Sequence, residues 1–117
     1  MPAKLTTHVL DTAAGRPAAG MKLELFRAEG AKLTLIKSAR TNADGRLPDP
    51  LLEGKSVRRG DYVLLFYVGD YFAKRRSPDA RKFLNRVPIV FSVADAKAHY
   101  HVPLLVSPWS YSTYRGS

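Results

Sequence analysis

Three histidines, His8, His99 and His101, are the side chains of this sequence best suited to move protons near neutrality, and the chain has no cysteine. A neutral imidazole can take a proton from water, and an arginine guanidinium can hold a carbonyl or an anionic ring through paired hydrogen bonds. The sequence closes on Tyr114-Arg115-Gly116-Ser117, a β-prone stretch that offers a cation, a flexible glycine and a terminal carboxylate. Two histidines directed away from the core, an arginine and this ending suit hydrolysis of a small anionic amide. For any one histidine taken singly, a surface or interface position without chemistry is the plainer reading, because no motif defines its role.

Two other chemistries are weaker. His99-x-His101 has the spacing of a two-histidine metal pair with His8 as a third ligand. Only Asp95 stands near enough to orient that pair, so no metal or other cofactor is expected. Ser107, Ser110, Ser112 and Ser117 lack the G-x-S-x-G setting of an activated serine, and no Ser-His-Asp triad can be argued.

The elements that must carry these residues follow a period of two. Met21, Leu23 and Leu25 alternate with Lys22, Glu24 and Phe26, and Leu33 and Leu35 alternate with Lys32 and Thr34. The runs Tyr62 to Tyr67 and Val87 to Val93 are apolar on both faces, which predicts central strands or strands whose outer face meets another subunit. Turn residues separate the runs at Gly15-Arg16-Pro17, Glu29-Gly30, Asn42-Ala43-Asp44-Gly45, Arg59-Gly60-Asp61 and Ser107-Pro108. Ser77 to Leu84 is the one segment that reads as helical, with Ser77 as N-cap and Pro78 in the first turn. Seven or eight strands at this spacing predict an all-β, two-sheet β-sandwich with one short helix, ahead of a small closed barrel.

Alternation also orients the histidines. Leu5, Thr7 and Val9 share one face of the first strand, leaving His8 with Thr6 and Leu10 on the other. Tyr100, Val102, Leu104 and Val106 form a core face, so His99, His101, Pro103 and Leu105 point outward. An outward face that is partly apolar needs a cover, and a partner subunit is the economical one. Beyond Val106, Ser107-Pro108 reads as a turn that folds the terminus back as a last strand.

The 117 residues suit one domain, 1–117, with a modest core. The sequence shows no apolar run long enough to span a membrane and no secretory h-region at its start, so the expected address is the cytoplasm. A net charge of +9 favours an anionic partner. The cations are scattered, with the densest group at Lys74-Arg75-Arg76 and Arg81-Lys82, and no aromatic-interleaved stretch accompanies them. That group reads as a solvated surface, and no nucleic-acid or membrane partner is expected.

Three segments together carry a resemblance. They are Leu5 to Thr12 followed by Gly15-Arg16-Pro17-Ala18, then Asn42-Ala43-Asp44-Gly45-Arg46, then His99 to Leu105 running through Ser107-Pro108-Trp109-Ser110-Tyr111-Ser112-Thr113 into the terminal tetrapeptide. In these the chain resembles the 5-hydroxyisourate hydrolases of the transthyretin-like family over essentially its whole length. The resemblance implies a transthyretin-type sandwich, a homotetramer with sites where dimers meet, and opening of the ring of 5-hydroxyisourate in urate degradation. It implies catalytic roles for His8, Arg46, His101 and Ser117 and substrate binding by Tyr114, Arg115 and Gly116. Under it, His101 is the expected base and His8 the residue that orients substrate or shuttles a proton, with Arg46 stabilising developing negative charge. A thyroid-hormone carrier of transthyretin type would share the fold but lack these histidines and this arginine.

Overall fold

The computed structural model describes residues 2–116. Eleven strands and one helix follow in the order β1 (Lys4–Thr6), β2 (Val9–Asp11), β3 (Arg16–Pro17), β4 (Lys22–Glu29), β5 (Lys32–Arg40), β6 (Leu52–Glu53), β7 (Gly60–Phe66), α1 (Val68–Lys74), β8 (Val87–Val93), β9 (His99–His101), β10 (Leu104–Val106) and β11 (Tyr111–Ser112). The count exceeds the expected seven or eight because two long strands are interrupted and three, β3, β6 and β11, are two-residue pairings. β1 gives way to β2 across Thr7-His8, and β9 to β10 across Val102-Pro103. Proline at 103 cannot donate to a ladder, and the amides on either side of it carry the pairing instead. Val102 N–H donates to the Thr6 carbonyl and Leu104 N–H to that of His8, both at 2.9 Å.

One layer is the antiparallel sheet β5-β4-β7-β8. The other joins β6-β1-β9 to β3-β2-β10-β11, with β1 parallel to β9 and β2 parallel to β10. Alternating residues of both layers meet in one core. Leu23, Leu25, Leu64 and Phe66 come from the first, and Leu5, Val9, Leu104 and Val106 from the second, all without exposed surface. Each such side chain contributes about 1.5–3 kcal/mol over remaining in water.

β7 is central, as its two apolar faces predict, whereas β8 is an edge strand whose Val90 is 71% exposed. The alternation of Leu33 and Leu35 does mark a strand, yet both are more than half exposed. β5 lies at the sheet edge and pairs only with β4, so its hairpin end has no opposing layer. Pro103 departs from simple parity: it is buried at the interruption, where Thr113 Oγ1 on the returning terminus donates to its carbonyl at 2.7 Å.

The helix is not where the sequence cues place it. Ser77 to Leu84 forms successive turns, while α1 precedes it. The Ser77 hydroxyl accepts the Asp79 amide in a local turn, and left-handed backbone at Arg81 (φ 61°) ends any continuation. Val68, Tyr71 and Phe72, at i, i+3 and i+4, are buried and make Val68–Lys74 the amphipathic segment. Tyr71 donates its hydroxyl to buried Asp11 Oδ2 at 2.8 Å, while Asp11 Oδ1 accepts the Ala14 amide, so one carboxylate ties α1 to β2.

Two loop contacts decide the positions of functional segments. In Asn42-Ala43-Asp44-Gly45-Arg46, the Asn42 side chain accepts the amides of Asp44 and Arg46, and Gly45 accepts the Val9 amide at 2.8 Å. Gly45 has φ 74°, and a Cβ there would lie 2.3 Å from the Val9 carbonyl oxygen. Gly45→Ala is therefore expected to destabilise by roughly 2 kcal/mol or more in urea titration, whereas Gly30→Ala, left-handed but facing open space, costs about 1 kcal/mol.

Burial and the bond to Asp11 push the Tyr71 phenol up to about 12. With the folded value above the ordinary 10, the stabilisation is complete below pH 10 and is lost as pH rises toward 12. Thermal melts across that window are expected to show the loss in the native protein and less of it in Tyr71→Phe. That variant also loses about 1–3 kcal/mol at neutral pH, because an Asp11 oxygen is left unpaired.

Candidate functional site

The parallel register of β1 with β9 sets Lys4 beside His99, Leu5 beside Tyr100 and Thr6 beside His101. Since Leu5 and Tyr100 face the core, Lys4, Thr6, His99 and His101 face the other way, as the sequence parity predicts for the histidines. The segment after the Asn42 turn closes over this face. Together they line an open cleft of about 470 Å³ with Arg46, Leu47, Pro48, Asp49 and Pro50 on its far wall. A roomier cleft of about 630 Å³ lies beside Lys55, Arg58, Arg59 and Lys97, and another of about 440 Å³ beside Lys22, Arg40, Lys74 and Arg75. Neither holds an imidazole, whereas His99 and His101 both line the cleft that faces Arg46.

Within it the Thr6 hydroxyl stands between two rings, 2.8 Å from His101 Nδ1 and 3.3 Å from His99 Nε2. His101 titrates below the ordinary imidazole value of 6.5. Partial burial penalises its cation first, followed by the positive charges of Arg46, His8 and His99. A neutral imidazole at physiological pH is what a base for water requires.

His8 stands at the margin rather than in the lining. It donates Nε2–H to the Asp44 carbonyl at 2.8 Å, which ties the histidine to the turn that carries Arg46 and leaves Nδ1 as its acceptor. The strand interruption at Thr7-His8 and the Gly45 contact therefore hold His8 and Arg46 as one unit.

The terminus comes back as expected. β11 pairs antiparallel with β10, and Ser107 organises the turn by accepting the amides of Trp109 and Ser110 at 3.1 Å. Farther along, Gly116 N–H donates to the His101 carbonyl at 2.7 Å. A Cβ on Gly116 would come 2.7 Å from His101 Cδ2, so only glycine lets the chain lie against that ring. Arg115 donates to the His99 carbonyl at 2.9 Å and stacks over Tyr100 at 4.6 Å, fastening the terminus to β9 outside the cleft lining. Tyr114 is exposed and also outside the lining. Ser117 lies beyond the described residues.

The structure thus brings His101, Arg46 and Gly116 together, sets His8 beside them, and directs the Arg115 and Tyr114 side chains elsewhere in the protomer. Thr6, Lys4, His99 and Asp49 join the site without having been assigned to it from sequence. Thr6 and Lys4 share the parity of His8, but only the pairing of β1 with β9 reveals that they meet His101 and His99. Among the described residues, no three His, Asp or Glu side chains converge as a metal-ligating set. No helix is long and apolar enough to cross a membrane among them.

Known proteins are similar to this chain over nearly its whole length. Residues 5–116 match the model of the HIUase/Transthyretin family. The chain is 56% identical to 5-hydroxyisourate hydrolase 2 of Rhizobium meliloti, covering 97% of this chain and 96% of that one. The solved 5-hydroxyisourate hydrolase of Klebsiella pneumoniae superposes with a TM-score of 0.82 at 33% identity, covering 98% of this chain and 99% of that one. Sea bream transthyretin, solved in complex with thyroxine, gives 0.87 at 26% identity, covering 97% and 95%. With the match running from β1 to Gly116 and the fold shared as well, this chain belongs to the HIUase/Transthyretin family.

Proposed function

We propose that this protein hydrolyses 5-hydroxyisourate to 2-oxo-4-hydroxy-4-carboxy-5-ureidoimidazoline, acting in urate degradation without a cofactor. The observation that carries the reading is the convergence of a neutral-biased His101 and Arg46 at one cleft, with Gly116 against the His101 ring, in a chain aligned over nearly its whole length with proteins named for this reaction. His101 takes a proton from water as the oxygen adds to the ring carbonyl. Arg46 holds the oxyanion that forms, and the proton taken up by His101 passes by way of the free Nδ1 of His8 to the departing nitrogen as the carbon–nitrogen bond breaks, leaving both imidazoles neutral. The carboxylic acid released ionises at neutral pH, which makes ring opening effectively irreversible.

In this reading the active form is a cytoplasmic homotetramer in which partner subunits cover the cleft. Support comes from the open cleft and from exposed apolar groups on the edge strands and the turn before β11, including Val90, Trp109 and Tyr111. Tyr114, exposed in the protomer, and Arg115 then serve the substrate through a partner, and Ser117 adds its hydroxyl. A thyroxine-type carrier is disfavoured because Lys4, Arg46, Asp49, His99 and His101 make the cleft polar and charged.

Ultraviolet decay of freshly generated 5-hydroxyisourate, measured against its unaided decay, tests the assignment. His101→Ala is expected to lose about 10²–10⁴-fold in kcat and Arg46→Ala about 10²–10³-fold, with His8→Ala and removal of residues 115–117 also impaired. Near-native rates in all four, with assembly intact by light scattering, would refute the site. Unchanged activity after exhaustive chelation is expected as well.

The pH profile carries an independent sign. Because His101 is held below 6.5, kcat/KM is expected to stay level down through neutrality and fall only below that value. Arg46→Gln removes a charge that opposes protonation, so the residual activity of that variant is expected to show its acid limb at higher pH. A limb that stays in place or moves downward would contradict His101 as the titrating base.

A further inference from the structure

The hydroxyl of Thr6 has one proton to give and lone pairs with which to accept. It is within hydrogen-bonding distance of ring nitrogens on two histidines, Nδ1 of His101 at 2.8 Å and Nε2 of His99 at 3.3 Å. It can donate to only one of them. Donation to His101 Nδ1 would force the proton of that neutral ring onto Nε2, and neither nitrogen could then take a proton from water. Donation to His99 Nε2 leaves the Thr6 oxygen free to accept Nδ1–H from His101, and Nε2 of His101 keeps its lone pair.

The second arrangement also gains as the reaction proceeds. When His101 becomes imidazolium, its Nδ1–H···O bond to Thr6 becomes charge-assisted and roughly twice as strong. The first arrangement offers a donor to a nitrogen that already lacks a proton, and it gains nothing on protonation of the ring. An interaction that strengthens toward the transition state raises kcat rather than substrate affinity.

The backbone holds Thr6 in this position. Thr6 and His101 are paired residues of the β1/β9 ladder, and the Thr6 carbonyl accepts the Val102 amide at 2.9 Å. Its β-branched side chain has restricted rotamers. Gly116 lies against the His101 ring at Cδ2, and Arg115 holds the His99 backbone carbonyl, so the terminal segment braces the His101 ring and the β9 backbone that carries His99.

We propose that Thr6 is the positioning residue of the site: it accepts Nδ1–H from His101 and donates to His99 Nε2, keeping His101 in the tautomer whose Nε2 is the base. This deepens the hydrolase reading and rests on His101 being that base. The relay is Thr6 of β1 between His99 and His101 of β9. The charged and titratable groups around it are Lys4 on β1, His8 after it, Arg46 and Asp49 on the facing loop segment, and Arg115 on the terminal segment.

Nitrogen-15 NMR of ring-labelled protein and steady-state kinetics test this separately. In the native protein near pH 7.5, His101 is expected to show a protonated Nδ1 and an unprotonated Nε2. Thr6→Val, which keeps the side-chain shape, is expected to shift that ring toward the Nε2–H tautomer and to lower kcat about 10–100-fold with KM little changed. Thr6→Ser is expected to restore the native tautomer and most of the rate. A native His101 in the Nε2–H form, or a Thr6→Val protein with native tautomer and native kcat, would overturn the relay. If Thr6→Val does not fold, the tautomer of the native protein and the Thr6→Ser rate decide. Full activity in His101→Ala would instead remove the hydrolase assignment of His101, while the ring tautomer still reports whether Thr6 orients it.

Discussion

The pairing of β1 and β2 with β9 and β10 is the constraint on which the site depends. It is parallel, so it cannot be closed by a hairpin, and the two partners lie about ninety residues apart in sequence. Sealing Leu5, Val9, Tyr100 and Leu104 into the core fixes which face of each strand is outward. A slip of one residue would put histidines in the core and leucines in the cleft. The burial of Leu5, Val9, Tyr100, Val102, Leu104 and Val106 therefore enforces the alignment of Thr6 with His101.

The interruptions in these strands are as useful as the pairing. At Thr7-His8 the ladder loosens enough for Val9 to donate to Gly45 rather than to a neighbouring strand, which draws the Asn42 turn inward. That contact delivers Arg46 to a face built entirely by other elements. Buried Thr7 settles its hydroxyl on the Val102 carbonyl at 2.7 Å, so the irregular backbone carries no unsatisfied side chain. Pro103 supplies the matching interruption opposite, where Thr113 of the returning terminus reaches its carbonyl.

Electrostatics then sets the protonation state of the site. A chain of net charge +9 concentrates Lys4, Arg46, His8 and His99 around one half-buried imidazole. Burial first, and then the charges of Arg46, His8 and His99, disfavour a cation at His101, so the proposed attraction of an anionic ring and the neutral imidazole draw on one arrangement. The other cation-rich clefts have the first property without the second, since they contain no histidine.

Parity was legible in the linear sequence because a strand has an exact period of two. Leu5, Val9, Tyr100, Val102 and Leu104 identify the inward face, and His8 and His101 the outward one, without any knowledge of partners. Resemblance along the three motif segments added Arg46 and the terminal tetrapeptide. Short-range cues misplaced the helix, because Ser77-Pro78 makes a good local start whereas Val68, Tyr71 and Phe72 become helical by what they bury. The exposure of Leu33 and Leu35 was equally hidden, since alternation reports a strand and not whether a second layer lies opposite. Register between distant strands was decided only by the tertiary structure, and with it the meeting of Thr6 with two imidazoles, the contact of Gly116 with a ring, and the diversion of Arg115 to the His99 carbonyl. Sequence periodicity specifies the direction in which a side chain points, but the neighbour it meets there depends on how the strands align, and that is set by the packing of the whole core.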